Sequence, residues 1–114
     1  MTQKVAKLVA LYKEPENRED FDKQYVETHI PLIEKVPGLR GMEVYKPMKN
    51  MMGGENPYYM MATLTFDNMD ALKAAMSSPE GQAAGANIMG FAGKLITLLT
   101  TEVAMTEGAA LSPR

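Results

Sequence analysis

Residues 4–13 read Lys4-Val5-Ala6-Lys7-Leu8-Val9-Ala10-Leu11-Tyr12-Lys13, apolar or β-branched through most of their length, and Glu14-Pro15 ends the run. This is a strand signature, because side chains of these types fit a pleated surface and proline cannot continue a ladder. Strand alternation puts Leu8, Ala10 and Tyr12 on one side and Val9 and Leu11 on the other. Tyr58–Phe66, YYMMATLTF, reads the same way and divides Met60, Ala62 and Leu64 from Tyr59 and Met61. A sheet built on two such strands is greasy front and back. Its own helices can roof only one side, so a second copy of the chain is the simplest cover for the other. A homodimer is therefore expected.

The segments between these strands fill in the order. Asn17-Arg18-Glu19-Asp20 is a helix start, with a capping side chain followed by acids that complement the helix dipole. Phe21, Tyr25, His29 and Leu32 recur at near-helical spacing, which predicts an amphipathic helix with this face buried. Pro31 has no amide hydrogen and clashes with the carbonyl four residues back, so the helix should kink or change character between Glu27 and Ile30. Pro37-Gly38 ends it, and Arg40–Lys46 alternates as a second strand. Residues 47–57, PMKNMMGGENP, carry turn chemistry over a length suited to a flap.

Asp67-Asn68 caps a second helix bearing Met69, Leu72, Ala75 and Met76. Ser78-Pro79-Glu80 opens a third, expected to run to about Ala86. Leu95–Met105 reads as the last strand and 106–114 as a loosely held tail. The order β-α-β-β-α-β predicts an α+β, ferredoxin-like domain with a four-stranded antiparallel sheet, one unit over residues 1–105.

Composition narrows the function classes. Hydrophobic residues make up 46% and charged residues 23% of the 114, which suits a chain with one buried core. Lys and Arg number 12 against 14 Asp and Glu, with no basic stripe, so nucleic acid is not an expected partner. The chain has no cysteine, which removes thiol chemistry and suits a reducing, cytoplasmic setting. The apolar run Leu8–Leu11 is too short for a signal-peptide core, and Lys94 interrupts the other apolar stretch, so no membrane role is expected. Eleven methionines, clustered at Met48, Met51, Met52, Met60 and Met61, are adaptable apolar filler. A single histidine and no cysteine leave a metal site without ligands, so neither a metal nor a cofactor is assigned.

The remaining chemistry centres on His29, whose ordinary pKa makes it a general acid or base near neutrality. Tyr25, one turn earlier, can orient the imidazole or donate to a developing oxyanion. Tyr12, Tyr45, Tyr58 and Tyr59 are strand aromatics able to line a cleft, each with a ring to stack on substrate and a hydroxyl to orient it. No nucleophile elbow, phosphate loop or HExxH helix is present, which excludes the common hydrolase, kinase and zinc-protease patterns.

The run Phe21…Tyr25…Thr28-His29-Ile30-Pro31-Leu32…Pro37-Gly38-Leu39, followed by Phe66…Ser78-Pro79-Glu80-Gly81-Gln82-Ala83 and Phe91-Ala92, resembles the EthD family, named for ethyl tert-butyl ether degradation. The resemblance implies a dimeric α+β barrel, related in fold to cofactor-free monooxygenases, isomerases, decarboxylases and haem-degrading enzymes. It implies a metal-free oxidoreductase-like or proton-transfer enzyme of catabolism acting on an apolar or aromatic carbonyl or phenol. His29 and Tyr25 are then the catalytic pair, and Tyr12, Phe21, Tyr45, Tyr59 and Phe91 the substrate-binding set. Typical members lead one to expect an acid near Asn87 and an asparagine near Gly90, so this chain departs from the pattern there. Two alternatives stand beside this reading. One is a haem-binding dimer with His29 as axial ligand; the other is a non-catalytic carrier of a hydrophobic metabolite that uses the cleft and the Met-rich loop 47–57.

Overall fold

The computed structural model describes residues 4–104. Four strands, β1 (Ala6–Lys13), β2 (Gly41–Tyr45), β3 (Tyr58–Phe66) and β4 (Ile96–Glu102), form an antiparallel sheet in the order β2-β3-β1-β4. The two runs with apolar residues on both sides are thus the central strands. The expected α+β, ferredoxin-like β-α-β-β-α-β order is present. Met105 of the expected last strand and the tail 106–114 lie outside the described residues.

Register decides which side chains meet the helices. Ala10 pairs with Ala62 and with Leu98, and Tyr12 with Met60 and Ile96. Ala6, Ala10, Tyr12, Met60, Ala62, Leu64 and Phe66 are all buried under the helices. Val9, Leu11, Met61 and Leu99 share the opposite side, where Leu99 is about half exposed at 51%.

The first helical stretch changes character where Pro31 requires it. Helix α1 (Arg18–Gln24) starts with Asn17 Oδ1 accepting from the Asp20 amide at 2.9 Å. It passes into a π-helical turn over Tyr25–His29, where the Ile30 amide donates to the Tyr25 carbonyl, and then into α2 (Ile30–Ile33). Widening by one residue gives the proline ring room, and π turns recur at functional sites.

Helix α3 (Met69–Ser77) and helix α4 (Pro79–Ala92) complete the roof. Ser78 joins them: its hydroxyl donates to the Ala75 carbonyl at 2.6 Å and accepts from the Gly81 amide at 3.0 Å. Helix α4 runs six residues past the expected end at Ala86, to Ala92. Gly85 and Gly90 weaken its intrinsic preference, but burial of Ala84, Ile88 and Ala92 on one stripe outweighs that cost. Gly81 permits close packing, since a Cβ there would stand 2.1 Å from the Ala75 carbonyl oxygen. Gly85, one turn later, has no neighbour within 4 Å of its would-be Cβ and faces open space instead.

Candidate active site

The core under the helices is split. One cluster gathers Ala6, Ile33, Val36, Leu64, Phe66, Leu72, Ala75 and Ala84; the other gathers Ala10, Tyr12, Phe21, Tyr25, Met60, Ala62, Ile88 and Ala92. A cavity of about 70 Å³ lies along the seam, lined from both clusters and by His29. Leu98, 48% exposed, marks its outlet beside the edge strand β4.

The π turn carries Tyr25 and His29 into this seam. Both are almost fully buried, at 3% and 4% exposure, with ring centroids 5.3 Å apart. His29 Nδ1 stands 3.1 Å from Asn87 Oδ1 on α4. With the amide oxygen accepting, Nδ1 holds the proton and the lone pair is on Nε2. No hydrogen bond engages Nε2 among the described residues, and no buried side-chain nitrogen or oxygen there lacks a partner, so Nε2 opens onto the cleft. Burial holds the His29 pKa below the ordinary imidazole value, and the Asn87 hydrogen bond offsets this only in part. His29 is therefore a neutral base at pH 7.

The tyrosines stay protonated for the same reason. Burial pushes the Tyr25 phenol up to about 12 and the Tyr12 phenol still further, Tyr12 also feeling the neighbouring Tyr25 hydroxyl. Each is a neutral donor, suited to an anion that forms beside it.

The structure brings most of the expected site residues together. Tyr12, Tyr25 and His29 line the cavity. Phe21 and Phe91 stand behind them: Phe21 lies 5.5 Å from Tyr12, 6.1 Å from Tyr25 and 5.6 Å from Phe91, and Phe91 lies 6.3 Å from His29. They do not line this cavity; both border a broader surface depression beside Gln24 and Leu95.

Tyr59 corrects the alternation reading. The register shifts between Tyr12 and Lys13, and an irregularity of this kind re-aims a side chain. Tyr59 accordingly reaches the helix side, 5.9 Å from Phe21, with its hydroxyl 3.0 Å from the Asp22 carboxylate, but it too stays outside the cavity lining. Tyr45 lies elsewhere: it is 40% exposed on the open side of β2, and its hydroxyl donates to Glu43 Oε1 at 2.7 Å. Tyr58 borders a surface depression with Lys46 and Met48.

Asn87 was legible only as a departure from a family pattern; its partnership with His29 spans 58 positions and has no local signal. Gly85, Ala84 and Ile88 are further lining residues that sequence reasoning left out. The Met-rich loop does not reach the cavity, and Met51 and Met52 are 98% and 91% exposed. The space is also far below the ~300 Å³ and more of typical cofactor pockets, so a porphyrin on His29 does not fit this arrangement. Among the described residues no group of three or more His, Cys, Asp or Glu could hold a metal ion, and no helix is long and apolar enough to cross a membrane.

Comparison with known proteins agrees with this fold. An EthD family protein from Bacillus halodurans superposes with a TM-score of 0.82 at 43% identity, covering 87% of this chain and 98% of that one. An uncharacterised 11.0 kDa protein from the thcB-thcC intergenic region of Rhodococcus erythropolis is 29% identical over 96 residues, 84% of this chain and 92% of that protein. A hydroxynitrile lyase from Passiflora edulis shares the fold, with a TM-score of 0.72 at 10% identity over 91% of this chain and 97% of its own. The EthD domain itself matches residues 13–94, from the last residue of β1 through the π turn and α4, and the chain belongs to the EthD family.

Proposed function

We propose that this protein is a metal-free, cofactor-independent enzyme in which His29 moves a proton on an apolar carbonyl or hydroxyl compound held in the seam of the core. The observation that carries the reading is the buried imidazole, held through Nδ1 by Asn87 and open through Nε2 to the cavity. Nε2 removes a proton from the carbon beside a carbonyl, or from a hydroxyl; the electron pair left behind becomes an enolate or alkoxide, and His29 becomes imidazolium. Tyr25 donates to the new oxyanion. The two charges form together as a neutral pair, which the apolar walls tolerate where a lone charge would be costly. The proton then returns at the same or a neighbouring atom. This step is common to lyase, isomerase and cofactor-free oxygenase chemistry, and the hydroxynitrile lyase of the same fold supports the first of these.

The same reading includes a homodimer closed over Val9, Leu11, Met61 and Leu99 as a dimeric α+β barrel, and a cytoplasmic setting in keeping with the lack of cysteine. The test is exchange of α-protons of simple ketones into D2O, followed by NMR. The protein should accelerate exchange and His29→Gln should abolish the acceleration without loss of fold. Equal exchange with the variant would defeat the assignment.

A further inference from the structure

Resting on that reading, we infer that the cavity selects a compact aliphatic carbonyl or alcohol rather than a fused-ring aromatic, and that Gly85 sets the size limit. The void arises from side chains that are missing at one level of the fold. On the sheet, Ala10 and Ala62 are directly paired and present only methyl groups. From α4, Gly85 presents no side chain, and a Cβ there would meet nothing within 4 Å. All three border the same space.

The walls and the volume agree on what fills it. At one end stand Tyr12, Tyr25 and His29, the polar groups; toward the other lie Leu8, Ile33 and Leu64, all aliphatic. A molecule with one oxygen at one end and a short hydrocarbon body matches this polarity. About 70 Å³ is roughly half the ~150 Å³ of an apolar cavity known to take benzene. Two fused rings exceed it. His29 supplies the independent sign that the space is meant for a ligand, being 4% exposed with Nε2 unbonded among the described residues and facing the cavity.

The experiment titrates the full chain with acetone and with α-tetralone, followed by methyl NMR shifts of Ala62 and Ile88 and by α-proton exchange. Acetone should bind and α-tetralone should not. Gly85→Leu should weaken acetone binding by about tenfold or more, since its side chain takes the ligand's place. Gly85→Ala, whose added methyl meets no neighbour, should fold normally and weaken binding less. His29→Gln should keep binding and lose exchange. Binding of α-tetralone as tight as that of acetone, unchanged binding in both Gly85 variants, or no shift with either ketone overturns the inference. Size-ordered binding without exchange by the unaltered protein upholds it while defeating the proton-transfer reading.

Discussion

Asn87 Oδ1 stands 3.1 Å from His29 Nδ1, so the only histidine of the chain is oriented by a neutral amide and not by a carboxylate. The amide fixes which nitrogen is free but adds no charge to favour imidazolium. Asn87→Asp should therefore raise the His29 pKa by roughly one unit or more, through direct attraction between the charges. The acid limb of the exchange profile moves to higher pH with it. Histidine NMR titration of both proteins checks the shift; an unmoved titration would rule out the contact.

Protonation of His29 also links stability to pH. Its folded pKa is depressed by burial below the unfolded value of 6.5, so the unfolded chain takes up the proton first as pH falls. Stability due to the neutral imidazole is fully present above pH 6.5 and declines as pH drops below it toward the folded pKa. Urea denaturation at pH 7.5 and in steps below 6.5 should show this loss. His29→Gln should flatten that part of the curve.

The two glycines that line one side of α4 should separate in stability measurements. Gly81→Ala forces a Cβ to within 2.1 Å of the Ala75 carbonyl oxygen and should cost about 2 to 3 kcal/mol. Gly85→Ala meets nothing and gains helix propensity, so it should be neutral or stabilising by up to about 1 kcal/mol. Thermal or urea melts of the pair decide it, with equal losses counting against the assignment.

Ser78 both ends α3 and begins α4, through hydrogen bonds of 2.6 and 3.0 Å. Ser78→Ala removes the N-cap acceptor and should destabilise the fold by about 1 kcal/mol. Since α4 carries Asn87, histidine NMR of this variant should also show a loosened His29 environment. A change in neither would mean that Ser78 is incidental to the site.

The proposed dimer face is open to direct trial. Leu11→Glu places a charge in the middle of the apolar side that carries Val9, Met61 and Leu99. Sedimentation should show the unaltered protein at twice the monomer mass and the variant as a monomer. A monomeric unaltered protein refutes the dimer.

Most of the architecture was legible because its signals are local. Alternating apolar residues in 4–13 and 58–66, the Asn17 and Ser78 caps, and Pro31 inside a helical stripe each act over a few positions, and the strands, helices and π turn stand where these place them. The pairing of His29 with Tyr25 followed from helical spacing, whereas Tyr12 joins them only because the helices cover its side of the sheet. What sequence reading missed depends on partners far along the chain. The end of α4 expected at Ala86 fell short, because burial of Ile88 and Ala92 carries the helix on. The register shift beside Tyr12 turned Tyr59 toward Asp22 against simple alternation.

Sequence alone determined the order of elements, the strands with two apolar sides and a lone histidine at an irregular turn, since backbone sterics and side-chain period act within a few residues. Tertiary structure alone decided that Asn87 meets His29, that Tyr45 faces away with Glu43, and that Ala10, Ala62 and Gly85 leave a small void between two halves of the core. The physical reason is that a cavity and a hydrogen bond across 58 positions exist only once sheet register and helix packing have set which side chains share a volume.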